Sequence, residues 1–171
     1  MTASTDFASE SARYLRDVYL PRLKRASETL PAEDLWWQPH QAALSVGNIL
    51  LHLEGNVRQW LVSGLGGEKD ARDRASEFKA TTGPPREELL ERLGATIETA
   101  IAVFSAFDEE RLQQKSTIQG FETTGLKAIY HVVEHFSWHT GQAVWIAKAR
   151  AGKDHGLAFY NEAKINAARN A

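Results

Sequence analysis

An all-α fold, arranged as an up-down-down-up four-helix bundle with a long crossover between helices 2 and 3, is what the sequence predicts. Three observations carry that prediction. Four segments repeat apolar residues at steps of three and four, the spacing of one helix face, and no stretch of similar length alternates strictly as a half-buried strand does. The charged segment "GEKDARDRASEFKATTGPP" between the second and third of them is too long for a tight helical hairpin. A connection of that size can run the length of a bundle and leave the helices on either side parallel. With 171 residues, the chain fits one domain spanning residues 1–171.

The first segment carries Ala8, Ala12, Leu15, Tyr19, Leu23, Ala26 and Leu30 on one stripe. Pro21 lies inside it, and because its ring crowds the carbonyl four residues back, a kink or short break is expected between Asp17 and Leu20. The second segment starts with Ser45 as a cap, runs through Val46, Ile49, Leu50, Leu53, Val57, Trp60 and Leu61, and stops at "SGLGG". Pro84 and Pro85 suit the opening of the third, whose stripe is Leu89, Leu90, Leu93, Ile97, Ile101 and Phe104 and which fades at Phe107. The fourth spans about Thr124 to Ala151 and is stopped by "AGKDHG". The closing "LAFYNEAKINAARNA" is read as a short terminal helix.

Composition narrows the function. The formal charge of −2 offers no electrostatic case for nucleic acid or an anionic membrane. The N-terminus lacks a basic region followed by an apolar run, and no apolar stretch approaches the ~20 residues of a membrane span, so a cytoplasmic address is expected. The chain has no cysteine, which removes disulfides, thiolate ligands and a cysteine nucleophile. Any thiol chemistry must use a thiol brought from outside.

The segment "HVVEHFSWHTGQ" places His131, His135 and His139, half of the chain's six histidines, at four-residue spacing on one helix face. Side chains four apart lie about 5–6 Å from each other at Cβ, so two imidazoles can grip one ion. All three cannot, since eight residues rise ~12 Å along the axis. A further ligand must come from another helix, and His52 is the best candidate. It lies on a polar stripe with Ser45, Asn48, Asn56 and Gln59 that borders the apolar stripe of the second helix, as expected of a helix lining a wet cavity. Three neutral imidazoles would leave positions open on zinc, nickel, iron or manganese. A metalloprotease reading fails, because the glutamate of H-E-x-x-H is replaced after His135 by Phe136.

The stretches "SVGNILLHLEGNVRQWLVSGLGG" (45–67), "RDRASEF" (72–78) and "HVVEHFSWHTGQAVWIAKAR" (131–150) together resemble the DinB/YfiT-like superfamily of metal-binding four-helix bundles, within one of its uncharacterised sub-families. By position, the resemblance implies a metal triad of His52, His135 and His139. His131 then sits one turn away as the nominee for a general base, and Asn48, Asn56, Gln142 and Thr140 become cavity or supporting residues. Glu54 and Glu134 point away from the histidine stripes by helical geometry.

Characterised relatives include thiol-dependent transferases and an isomerase that use low-molecular-weight thiols, which implies a metal-dependent thiol S-transferase acting on a small electrophile. Positive charge retained on a three-imidazole ion would deprotonate a coordinated thiol or water near neutral pH. The alternatives are a metal-dependent hydrolase and a non-catalytic bundle whose metal stabilises the fold or whose surface binds a partner. In "RDRASEF", Arg72 and Arg74 are candidates to hold the carboxylates of a thiol cosubstrate. The reading preferred over that one has Asp73, Glu77 and the arginines pinning the crossover by ion pairs. The tryptophans read as core or contact residues. Trp60 and Val62, near a helix end, suggest an exposed apolar surface and with it a homodimer.

Overall fold

The computed structural model describes residues 2–160. Helix α1 (Ala3–Arg13) starts at a capping box in which Thr2 accepts from the Thr5 N–H. It passes through a π-helical stretch, Tyr14–Tyr19, directly into α2 (Leu20–Glu28). The break expected before Pro21 therefore does not form. A widened turn bonds the Leu20 N–H to the Leu15 carbonyl five residues back, and Pro21, which has no N–H to lose, takes the start of α2.

Helix α3 (Val46–Val57) opens on Ser45 and Asn48, each of whose side chains bonds the other's backbone N–H. It too continues through a π-helical stretch, Arg58–Ser63. That continuation corrects the expectation for Trp60 and Val62, which are 6% and 0% exposed. They belong to the core instead of a fraying helix end, and the dimer surface read from them does not exist there.

The crossover holds a short helix, α4 (Arg74–Lys79), capped by Asp73. Helix α5 (Arg86–Phe104) follows Pro85, and α6 (Glu109–Gln113) follows Asp108. Next comes an antiparallel hairpin, β1 (Lys115–Ile118) and β2 (Phe121–Thr124), with Ile118 paired to Phe121 and Lys115 to Thr124. The all-α expectation is thereby corrected to a mostly helical fold with a small two-stranded sheet. Gln119 and Gly120 have φ of 55° and 83°, the left-handed pair that a two-residue hairpin turn needs. Four-residue strands are too short for alternation to register, but "QG" between Ile118 and Phe121, a β-branched and an aromatic residue, was a legible turn signal.

Helix α7 (Gly125–Ala151) is capped by Thr124, so the hairpin sets its start, and ends where Gly152 adopts φ 76°. Of the expected terminal helix, residues 157–160 are not helical and residues 161–171 lie outside the described residues.

The core is built where the four long helical runs face one another. Leu15, Leu23, Leu53, Ile97, Phe104 and Phe136 are fully buried, each worth about 1.5–3 kcal/mol by its removal from water. Phe136 stacks on Tyr19 at 6.0 Å, joining the first run to α7. Arg16 pairs with Glu98, Leu20 lies by Gly94, and the Leu30 carbonyl accepts from Arg86. On the other flank of α5, Glu54 accepts from Thr96, and the Val103 side chain packs on Gly66. Among the described residues no helix is long and apolar enough to cross a membrane.

Candidate metal centre

Two helices bring the histidines together. The cap at Ser45 fixes the register of α3, which turns His52 inward and leaves it 3% exposed. One turn separates His135 and His139 on α7, so both face His52 with ring centroids 4.9 and 4.8 Å from it and 4.5 Å from each other. One ring nitrogen of each histidine lies within 4.8 Å of the others. His52 Nε2 and His135 Nε2 approach to 3.2 Å, close to the about 3.4 Å between two nitrogens that share a tetrahedral ion at about 2.0–2.1 Å.

The opposite side of the His52 ring is fixed by a residue not singled out for that task. Nδ1 lies 2.9 Å from Glu77 Oε2, and Arg72 Nη2 stands 3.1 Å from the same nitrogen. A guanidinium only donates and a carboxylate only accepts, so the two contacts need opposite states of Nδ1. The shorter contact with the anionic group assigns the proton to Nδ1, which leaves Nε2 as a bare lone pair facing the other two histidines. Burial works to raise the Glu77 carboxyl, but hydrogen bonds from Arg72 and His52 outweigh it and hold the pKa below the ordinary value.

Glu77 reaches His52 because α4 packs closely on α3. Asn48 donates to the Glu77 and Ala80 carbonyls at 2.8 and 2.7 Å, while its Oδ1 accepts from Ser45, so Asn48 is a clamp between helices and not a cavity residue. Gly55 makes the contact possible: a Cβ there would collide with Glu77 Oε1 and stand 2.8 Å from Arg72 Nε. Phe78 sets its ring against His52 at 4.7 Å between centroids and shields that flank from water.

The remaining candidates fall elsewhere. The Arg72 side chain is 4% exposed and directs its guanidinium to Glu77 at 2.7 and 2.8 Å and to Gln59 at 2.9 Å, so all three of its nitrogens are engaged within the protein. The exposed Arg74 lies over Phe78 at 4.5 Å. His131 packs on Trp60 at 4.2 Å between centroids, 5.4 Å from His135, outside the three-histidine cluster. Thr140 bonds the Phe136 carbonyl within its own helix. Asn56 is buried, and its Oδ1 and Gln142 Oε1 have no partner among the described residues. Glu54 is engaged with Arg58 and Thr96, and Glu134 is exposed.

The donor set fits a divalent ion. Burial, then the charges of neighbouring histidines, pushes His135 down to about 3, and burial with the His52 charge pushes His139 down to about 4. Both rings are therefore neutral at physiological pH, as ligation requires. In metal-free protein these two groups bind fewer protons folded than unfolded below their ordinary value of 6.5. Their contribution to stability is whole above about pH 6.5 and is lost as the pH falls toward the folded values. Thermal melts of chelator-treated protein should show that loss beginning near neutrality, and His135→Gln should flatten it. An unchanged profile in the variant would remove these groups as the cause.

Glu77→Gln tests the outer partner. It keeps the shape but weakens the acceptor at Nδ1, and metal affinity should fall about 10- to 100-fold. Arg72 loses its counter-charge in this variant, so the measurement applies to protein that still melts cooperatively, with the His52 Nδ1 proton followed by NMR. Unaltered affinity and an unmoved proton signal would reduce Glu77 to an anchor of the crossover.

A family model described as "Protein of unknown function (DUF1572)" matches residues 3–158. Among solved structures, the chain is similar to a DinB-like protein of Bacillus subtilis, YjoA, with a TM-score of 0.63 and 17% sequence identity. That likeness covers 91% of this chain and 97% of the other, and at such identity it speaks for the fold. No curated protein matches the chain.

Proposed function

The chain belongs to the DUF1572 family and has a DinB-like fold, and from that premise we propose that it is a divalent-metal-binding protein acting as a metal-dependent thiol S-transferase on a small electrophile. The observation that carries this reading is the convergence of His52, His135 and His139 in a chain with no cysteine of its own. A bound divalent ion would supply the positive charge that stabilises a thiolate at neutral pH. His52 presents Nε2 because Glu77 holds the proton on Nδ1, and Arg72 holds Glu77. His135 and His139 stay neutral and half-exposed, so the cluster is open to small molecules along α7.

The same reading takes the helices as an up-down-down-up bundle. Its support is the order of contacts, Glu54 with Thr96 and then Gly66 with Val103, which advance together along the second and third long runs. It also takes the protein as cytoplasmic. The test is metal analysis of purified protein followed by a screen of low-molecular-weight thiols against simple electrophiles. Product formed from water, with or without thiol, would transfer the proposal to a hydrolase. A tightly held metal with no turnover would leave a metal-stabilised bundle.

A further inference from the structure

Ligation through Nε2 leaves the proton of a neutral histidine on Nδ1, and a buried Nδ1–H needs an acceptor. His52 has one in Glu77. His135 and His139 differ: the Nδ1 atom of each is shut off from water and has no hydrogen-bond partner of good geometry among the described residues. A buried polar nitrogen left so costs about 1–3 kcal/mol. Four other buried side-chain atoms share that condition among the described residues. Trp60 Nε1 and Arg86 Nε can only donate, whereas Asn56 Oδ1 and Gln142 Oε1 accept. Two ring nitrogens that need acceptors are thus matched by two amide oxygens that need donors.

Their placement pairs them. Gln142 is three residues beyond His139 on α7, hence on the same face, and it acts on the His139 ring as an acceptor does, favouring the protonated form against burial. Asn56 is 3% exposed and lies between His52 and Trp60 along the second long run. His52 faces His135 at 3.2 Å between Nε2 atoms, and Trp60 faces His131 at 4.2 Å between ring centroids. Asn56 therefore stands against α7 between the levels of His135 and His131.

The contact between His52 and His135 explains why the second pair is open. Glu77 keeps the His52 proton on Nδ1, so His52 Nε2 is a lone pair, and another lone pair 3.2 Å away would repel it. In this arrangement His135 donates from Nε2, and its bare Nδ1 has nothing to offer Asn56. Ligation through that Nε2 requires the proton to move.

We propose that Asn56 and Gln142 are positioning residues of the metal centre: Asn56 Oδ1 accepts the Nδ1 proton of His135 and Gln142 Oε1 that of His139, each fixing its ring with Nε2 toward the ion. For His135 this is a change of tautomer. The Nε2 proton leaves to solvent and one returns at Nδ1, so the ring stays neutral and no net proton is released. The outer partners of the triad are then one carboxylate and two amides. Because Arg72 offsets Glu77, they leave the positive charge of the ion intact for the chemistry it supplies. The inference deepens the metal-binding reading above and rests on it.

Heteronuclear NMR of the histidine rings in the full chain, chelator-treated and zinc-loaded, tests it. Chelator-treated protein should carry the His139 proton on Nδ1 and the His135 proton on Nε2. Zinc should shift the His135 proton to Nδ1, where it should resist exchange with solvent. Asn56→Leu and Gln142→Leu remove the acceptors at little change in size, and in each zinc affinity should fall about 10- to 100-fold. The Nδ1 proton of His135 in the first variant, and of His139 in the second, should exchange faster. Asn56→Asp and Gln142→Glu restore an acceptor and should recover both affinity and proton signal, which a packing role alone would not produce. Gln142 is only half-buried, so its variants report even where Asn56→Leu fails to fold. Zinc bound by both leucine variants as tightly as by wild type, or a His135 proton that stays on Nε2 with zinc bound, overturns the proposal and leaves the metal centre standing. Wild-type protein that binds no zinc overturns the metal reading, and this proposal with it.

Discussion

His52→Ala is expected to abolish high-affinity metal binding, with a loss beyond the about 10- to 100-fold expected for removing an outer hydrogen-bond partner. The proposed site draws three histidines from two helices, and His52 is the one supplied by α3. Without it, His135 and His139 remain as a single i, i+4 pair on α7, which can hold an ion but not against a chelator of moderate strength. His139→Ala should behave alike, breaking the pair and leaving ligands from two helices with no adjacent partner. His131→Ala is the discriminating control. It removes an imidazole at the same helical spacing from His135, but one that packs on Trp60 and lies outside the cluster. Metal content measured per mole of folded protein should stay near wild type in that variant. Equal loss in the His131 and His139 variants would refute the division of labour.

The second large effect is on turnover. Metal-loaded protein should conjugate a bacterial low-molecular-weight thiol to a simple aromatic electrophile, and the rate should drop to the uncatalysed level when the metal is removed and return when it is restored. The chain has no cysteine, so the nucleophile in this assay is the added thiol and cannot be a residue of the protein. The pH profile should rise below the free thiol's own pKa of roughly 8.5, because a nearby positive charge favours the thiolate. Across several thiols and electrophiles, metal-loaded protein that accelerates none would end the transferase reading. The metal assignment rests on the placement of three side chains and would stand.

How much of this was legible in the sequence depends on how far apart the interacting residues lie along the chain. Periodicity of 3.6 is local, so the spacing of His135 and His139 and the polar stripe containing His52 could be read directly, as could the start of α3 at Ser45 and the end of α7 near Ala151. The resemblance then chose between the two histidine pairs, which spacing alone leaves equal. Glu77 was read, with Asp73 and the arginines, as pinning the crossover by ion pairs; its ion pair is with Arg72 inside the crossover, and hydrogen bonds from Asn48 and to Gln59 tie that segment to the second long run. The bond between Glu77 and His52 could not be read, because it spans 25 residues and depends on Gly55 letting α4 approach.

Sequence by itself determined the residues that have chemistry to offer: the absence of thiols, three histidines at one-turn spacing, a fourth on another helix, and four long apolar stripes. Tertiary structure decided which of them meet. It took Trp60 and Val62 into the core by carrying α3 onward through a π-helical stretch, held Arg72 on Glu77 instead of leaving it for a ligand, and set Asn48 as a clamp. It also left Trp138 and Trp145 uncovered around a glycine. The physical reason is that side-chain spacing along one element follows from backbone geometry, whereas the partner of a buried polar group is selected by whichever neighbouring element packs against it and can satisfy it.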